Sequence, residues 1–570
     1  MKAVTPDLDA AICAATPERI QAARGFDATV VGAGAAGGLA ALQLTEAGMS
    51  VLLLDAGFRP RFRDAPLRQT TAAIVKCVAD PRLQSVLPVP VVNFGRKALR
   101  VAGRLRQPVQ TRCWAWELAP DAFVDDKENP YVNEPGTRFD WFRAHQIGGR
   151  MTIPGHGRQY YRLSERDLDP DDGLSPRWPV PYHELTSWYD TVEQRLGLSA
   201  GTENCPFVPG GRPLNVIKPT IAEAETIATL KRRWPHAYTL MGRSAPPLSS
   251  VERAAATGRL VCRQGAIVRD LQIGPDGRVS AVKWRDRATG TDMSARAPTV
   301  FVCASALEST RILLSSRSAS GEPIGSRSGA LGTCLMDHVV VSGEGTAGAL
   351  AAPAPYVPGR CVYLPRFDLS MTGERGSRGY GVQIYRWSGG SGRSHFTAVS
   401  FAEMTPRAEN RVVLDPERKD AWGLPVLRIA CRHNETELER AKDQSAALRE
   451  IGNALDVHFY RLGEIAAPPG TAIHECGTAR MGDSPDLSVL DPDNQCWDAK
   501  GVYVTDASAF PSQGTQNPTL TILALTARAC AHAIASQSAS PRDTNLPRAR
   551  VIPPLALEAA DTGARLAEIS

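Results

Sequence analysis

Two groups of residues at opposite ends of this 570-residue chain have the types and spacing that chemistry needs. Near the start stands Gly32-Ala33-Gly34-Ala35-Ala36-Gly37. Near the end stand His474-Glu475-Cys476-Gly477-Thr478, then Asp506-Ala507-Ser508, then Asn517-Pro518-Thr519. The pattern Gly-x-Gly-x-x-Gly between a strand and a helix makes a phosphate cradle. The first glycine permits the tight turn, and the second lets the backbone approach a pyrophosphate. The third lets the helix pack close to the strand, and the helix N-terminus then faces the phosphate charge. His474 is the candidate proton acceptor of the second group, because imidazole changes charge near neutral pH. A chain whose two ends build one site is a single catalytic unit.

The elements that must position these residues are legible around them. Residues 26–31 form a short apolar run ending at the glycines, which predicts a buried parallel strand. Residues 35–47 are Ala/Leu-rich at helical spacing, and Gly48 stops them. Residues 50–54 predict a second strand, with Asp55 and Ala56 at its end. Strand, helix and strand make one βαβ unit. Asp55 lies 18 residues past Gly37, placed for ribose hydroxyls. The cradle opens the chain and no second Gly-x-Gly-x-x-Gly follows, which favours FAD over a nicotinamide.

Further along, residues 1–25 read as a polar helical extension and residues 58–145 as irregular. Residues 165–182 read as loop, 181–196 as helix and 259–303 as alternating strands, with a turn at Gly274-Pro275-Asp276-Gly277. A helix is expected over 307–316, an antiparallel sheet over 335–430, and a helix over 435–455 capped by Asn434. A Pro/Ser/Arg-rich tail starts near Ser536. The fold class that results is α/β. A discontinuous Rossmann-type FAD-binding domain is expected from 1–60, 141–165, 251–330 and 465–540. A substrate-binding domain on an antiparallel sheet with helices takes 61–140, 166–250 and 331–464, and 541–570 is a C-terminal tail.

Composition excludes other classes. A hydrophobic fraction of 43% with 22% charged residues is that of a soluble globular protein. The formal net charge of +5 is small for this length and no dense Lys/Arg run exists, which argues against nucleic acid. Twelve cysteines are scattered without a Cys-x-x-Cys pair, so no metal site and no c-type haem are expected. Reduced, buried thiols suit a cytoplasmic location. Residues 1–25 lack the apolar core of a signal peptide, and no run of 18 apolar residues predicts a membrane span.

Other pieces join the two clusters: Gly148-Gly149 with Thr152, Ala304-Ser305-Ala306-Leu307-Glu308-Ser309, and Leu331-Gly332-x-x-Leu335-Met336-Asp337-His338. With the run from His474 to about Cys530, and in this order, the chain resembles the glucose–methanol–choline (GMC) oxidoreductases, FAD enzymes that oxidise alcohols. It looks closest to their bacterial sugar and polyol branch, which is pyranose-oxidase-like. The resemblance implies that His474 and Asn517, 43 residues apart, flank the substrate. His474 would act as base while a hydride passes to flavin N5, and Asn517 would hold the substrate oxygen. It also implies FAD contacts at Gly148, Gly149, Thr152, Val268, Ala304, Asp506, Ala507, Pro518 and Thr519, beside the cradle residues Gly32, Gly34, Ala35, Ala36, Gly37, Asp55 and Ala56. Some family members link the flavin to a histidine after the Gly-Gly turn. Ile153 stands at that place here, so FAD is expected to be non-covalent.

His156, three residues off that register, is a substrate-side candidate. So are Tyr385 and Trp387, whose rings suit sugar CH faces, although sheet packing explains them, Arg386 and Phe396 equally well. His338 reads as structural, and Cys303 and Cys476 as packing residues. The implied function is oxidation of an alcohol group of a sugar, glycoside, cyclitol or polyol. The alternatives are an aryl or aliphatic alcohol oxidase of the same family, or a non-redox FAD scaffold or lyase. No motif reports the electron acceptor, whether oxygen, quinone or another, or whether a partner carrier is needed.

Overall fold

The computed structural model describes residues 25–58, 89–153, 159–170, 173, 175–211, 213–352, 354–357, 359–368, 379–388 and 392–539. Strand β1 (Ala28–Val31) leads through the Gly32–Gly37 turn into helix α1 (Ala35–Glu46) and returns as β2 (Val51–Asp55). Every residue of both strands is buried. That suits mostly apolar runs covered on two faces of a parallel sheet. Gly48 takes φ +87, which lets the chain leave α1 and re-enter the sheet.

Helix α2 (Val89–Gly103) lies in the stretch that the sequence reads as irregular, and this is a correction. Pro90 sits in its first turn, where a missing N–H costs nothing. Its Leu99 packs on a cluster of Cys113, Ala115, Trp116, Phe123, Phe142 and Ile153. Helix α3 (Tyr182–Leu196) follows, capped by Gly197 at φ +64.

Strands β3 (Leu260–Gln264) and β4 (Val300–Val302) extend the first sheet. Between them the chain folds as a three-stranded antiparallel sheet over residues 266–296. Helix α4 (Ala306–Ser315) leaves β4. A six-stranded antiparallel sheet then forms around β5 (Val339–Ala349), β6 (Val362–Leu364), β7 (Tyr380–Trp387) and β8 (Arg393–Ala402). Helix α5 (Glu435–Ala454) packs across β5 and β8, started by a capping box between Asn434 and Glu437. Strand β9 (His458–Leu462) pairs with β5 at the sheet edge.

Residues 502–539 return to the first sheet. Strand β10 (Val502–Val504) pairs in parallel with β4. The order is β10-β4-β1-β2-β3, and all four pairings are parallel. Helix α6 (Thr519–Ala539) packs against α1 and α3, and it reaches beyond the expected start of the tail at Ser536. Over Thr519–Gln537 it is long and apolar enough to cross a membrane, but 61% of that window is buried by protein. Leu520, Leu523, Ala524 and Leu525 all belong to the core.

Candidate active site

The turn after β1 is built for close approach. A Cβ on Gly37 would fall 1.8 Å from the Gly32 carbonyl oxygen, and one on Gly32 would meet the Cys303 carbonyl oxygen at 2.4 Å. A Cβ on Gly34 would meet nothing within 4 Å, so open space lies over the middle glycine. No side chain caps the N-terminus of α1 and its first turn holds no acid. Its N–H groups therefore face outward with the positive end of the helix dipole, as a pyrophosphate requires. These features fit the FAD that the motif implies.

The Gly148–Gly149 turn closes on this cradle. The Gly148 N–H donates to the Ala33 carbonyl at 2.9 Å, and a Cβ on Gly149 would sit 3.2 Å from Gly34 Cα. Thr152 donates from its hydroxyl to the Gly149 carbonyl at 2.8 Å. Next to the turn, one cavity is lined by Gly32, Asp55, Ala56, Val268 and Ala304. Five residues expected to touch the cofactor thus share one pocket. Asp55 accepts from the N–H groups of Ala33 and Gly57, each at 2.7 Å, and burial pushes its carboxyl up to about 6.

Three separate segments are hydrogen-bonded together around His474. Met336 and Cys476 exchange backbone hydrogen bonds at 3.0 Å. The N–H groups of Gly477 and Ala479 donate to the carbonyls of Ala507 and Ser508 at 3.1 and 3.0 Å. Gly477 is required there, since a Cβ would fall 2.0 Å from the Cys334 carbonyl oxygen. Asp337 is fully buried and holds the loop that carries His474. It accepts from the N–H groups of Gly470, Ala472 and His474 at 2.7, 3.0 and 3.0 Å. Burial, helped by the Glu475 charge, pushes its carboxyl up to about 7. The preceding Ile473 sits at φ +64, a strained conformation for a β-branched residue that this clamp maintains. Gln513 fixes the other side by donating to the His474 carbonyl at 3.0 Å.

The side chains continue as one network. His474 Nε2 lies 3.1 Å from Asn517 Nδ2, and Asn517 Oδ1 accepts from Gln383 Nε2 at 2.7 Å. Gln383 Oε1 accepts from the Tyr385 hydroxyl at 2.9 Å. On the other side, His474 Nδ1 lies 2.8 Å from His338 Nδ1, and His338 Nε2 lies 2.6 Å from the Gly514 carbonyl oxygen. Phe401 packs on both imidazoles, with ring centroids 5.5 and 5.4 Å away. Burial lowers His338 to about 4. The arrangement can accept a proton at an imidazole nitrogen next to an amide that holds the same oxygen.

His474 and Asn517 are therefore brought together. Pro518 and Thr519 follow as the start of α6, with the Ile522 N–H donating to the Pro518 carbonyl at 3.0 Å. Asp506 accepts from the hydroxyl of Ser309 and from the N–H of Ser508 at 3.0 Å, so its carboxylate joins the end of β10 to α4. Trp387 lies apart from the network. Its ring stacks on His395 at 5.2 Å and meets Tyr356 edge-on. Arg386 bonds Ser394 and the Gly348 carbonyl, and Phe396 packs on Phe459. Ring packing thus accounts for Trp387 and Phe396, and hydrogen bonds within the sheet for Arg386. His156 lies outside the described residues. Gln383, Asp337 and Gln513 were missed, and His338, read as structural, touches His474 directly. Among the described residues no group of His, Cys, Asp and Glu has the arrangement to hold a metal ion.

Residues 406–526 match the family described as GMC oxidoreductase. The chain is 27% identical over 450 residues to a 2-methyl-1,2-propanediol dehydrogenase of Mycolicibacterium austroafricanum, covering 67% of this chain and 79% of that one. It is 24% identical over 571 residues to a 6'''-hydroxyparomomycin C oxidase of Streptomyces lividus, covering 91% and 93%. Its fold is similar to the crystal structure of pyridoxine 4-oxidase from Mesorbium loti, with a TM-score of 0.56, 16% identity and coverage of 89% and 98%.

Proposed function

We propose that this chain, which belongs to the GMC oxidoreductases, oxidises an alcohol group of a sugar, glycoside, cyclitol or polyol to a carbonyl. The observation that carries the reading is the pairing of His474 and Asn517, 3.1 Å apart where the motif segments meet. Relatives named for a diol and for a hydroxyparomomycin support a substrate with several hydroxyls.

FAD supplies the hydride acceptor when bound in the Gly32–Gly37 cradle. The protein's own part is to hold the carbinol and receive its hydroxyl proton. His474 takes that proton at Nε2. Asn517 donates from Nδ2 to the same oxygen and stays neutral throughout. Gln383 fixes the Asn517 amide, and Tyr385 fixes Gln383 in turn. Asp337, Gln513 and the strained Ile473 hold the imidazole in place without taking part in proton transfer.

The cofactor is read as non-covalent, since Ile153 occupies the linking position and is buried in the Trp116–Phe142 cluster. Acid precipitation should then release the yellow colour into the supernatant. The ten described cysteines form no disulfide with one another, which suits a reducing, cytoplasmic setting.

The decisive experiment is anaerobic mixing of the purified yellow protein with sugars, glycosides, cyclitols, polyols and aryl alcohols, following loss of the oxidised-flavin band. Bleaching by a polyhydroxylated member, abolished in His474→Ala with FAD retained, is expected. Bleaching by aryl alcohols alone, or by none, refutes the reading. Oxygen uptake against dye or quinone reduction on the bleaching substrate identifies the electron acceptor.

A further inference from the structure

His338 does more than fill space beside His474. Its Nε2 faces the Gly514 carbonyl oxygen at 2.6 Å, and a carbonyl oxygen can only accept. The proton of His338 is therefore on Nε2. His338 is 1% exposed, between Phe401 and the His474 ring. Burial lowers its affinity for a second proton. The neighbouring acid does not counter this, because Asp337 spends both oxygens on backbone N–H groups and Glu475 is paired with Arg150. A neutral ring with hydrogen on Nε2 carries a lone pair on Nδ1, and that nitrogen faces His474 Nδ1 at 2.8 Å.

We propose that His338 is a positioning residue that sets the tautomer of His474, by accepting its Nδ1–H and so directing the Nε2 lone pair toward Asn517 and the substrate side. The rest of the network agrees with this direction. A lone pair on His474 Nε2 needs a donor, and Asn517 presents Nδ2 at 3.1 Å. Asn517 then turns Oδ1 to the Gln383 amide, and Gln383 turns Oε1 to the Tyr385 hydroxyl. Each orientation follows from the Gly514 carbonyl at one end. The opposite polarity would aim a lone pair of His338 at that oxygen. After proton uptake, His474 carries hydrogen on both nitrogens and still donates Nδ1–H to His338. The neutral, buried His338 keeps the proton from leaving through the protein interior.

This inference rests on the role proposed for His474, but the tautomer can be read without turnover. The FAD-loaded protein is labelled with ring-15N histidine and its 15N spectrum recorded without substrate, with His474 assigned by the signal missing in His474→Ala. The expected result is His474 in the Nδ1–H form in the wild type. His338→Phe keeps a ring beside Phe401 but offers no acceptor, so the His474 signal should move to the Nε2–H form or to a mixture. Bleaching should slow about 100-fold or more in that variant, with kcat affected and KM little changed. His338→Asn offers an amide oxygen to His474 Nδ1 and should recover most of the tautomer and of the rate. An Nε2–H form in the wild type, or His338→Phe with unchanged tautomer and rate, overturns the inference. If His338→Phe does not retain FAD, the wild-type and His338→Asn spectra still decide. The expected tautomer pattern with no bleaching by any alcohol would refute the proposed reaction while leaving this assignment standing.

Discussion

Arg150 and Glu475 link the cofactor turn to the loop of the base, and breaking that link has a calculable cost. Arg150 Nη1 lies 2.9 and 2.8 Å from the two Glu475 oxygens, and its Nη2 donates to Ser305 Oγ at 3.2 Å. The Glu475 side chain is 1% exposed and that of Arg150 24%. Arg150→Met would leave a buried carboxylate next to Asp337 without its cation. Removing one partner of a buried pair costs about 3–5 kcal/mol. Water reaches the Arg150 side, so the lower end applies, about 3 kcal/mol. With roughly 2.1 cal/mol/K of unfolding entropy per residue over 570 residues, or about 1.2 kcal/mol/K, the melting point should fall by about 2.5 °C. The double variant Arg150→Met/Glu475→Gln removes the stranded charge and should recover to within about 1 kcal/mol of wild type, about 2 kcal/mol better than Arg150→Met alone. The assay is thermal release of flavin fluorescence for all four proteins at one fixed excess of FAD, because ligand excess itself shifts the midpoint. Equal melting points for Arg150→Met and the double variant would refute the argument, since the cost would then not come from the unpaired charge.

Other expectations follow from the same geometry. Gly37→Ala places a Cβ 1.8 Å from the Gly32 carbonyl, so that protein should purify without FAD. Gly34→Ala, whose Cβ meets no protein atom, should fold but hold FAD more than about tenfold more weakly; the flavin-to-protein absorbance ratio and a titration check both. Asp337 binds its proton more tightly in the fold, at about 7 instead of 3.8, through burial first and the Glu475 charge second. Its stabilising effect is complete below 3.8 and is lost as pH rises through 7, roughly 4 kcal/mol in all. The stability gap to the non-titrating Asp337→Asn should therefore shift toward the variant between pH 4 and 7, and a gap that stays constant in denaturant midpoints would count against it. The ten described cysteines are all buried, so Cys13→Ser/Cys77→Ser protein should give no reaction with a thiol reagent until it unfolds.

The parallel sheet and the cradle were legible because the signals were local. Val51-Leu52-Leu53-Leu54 can only be buried on both faces, and Gly48 marks its turn. The pairing of His474 with Asn517 was legible only through a family pattern, since nothing in either residue names the other. What stayed hidden depends on contacts between distant segments. Gln383 sits in an alternating strand where any polar residue looks like a solvent-facing one, yet it is 3% exposed and holds Asn517. His338 precedes Val339-Val340-Val341, so it reads as a strand entry, and only the fold reveals the ring of His474 against it. Helix α2 was missed because Val89, Val91 and Val92 are β-branched and weak helix formers, and tertiary packing of Leu99 overrides that.

The order of strands in the first sheet has a consequence for biosynthesis. Strands β1 and β2 emerge first, but β10 and α6, which finish the same sheet and cover α1, emerge only after residue 502. At about 5–20 residues per second, roughly 25–95 seconds pass between the emergence of β1 and that of β10. Once Val300–Val302 has emerged, the edge of β4 waits roughly 10–40 seconds for its neighbour, and Leu520, Leu523 and Leu525 are not yet available to cover the apolar side of α1 and α3. Until then these apolar surfaces of the nascent chain stay uncovered. A chain cut short before residue 502 would keep the whole glycine turn but lack β10, Asp506 and α6, which complete the sheet and the site around it.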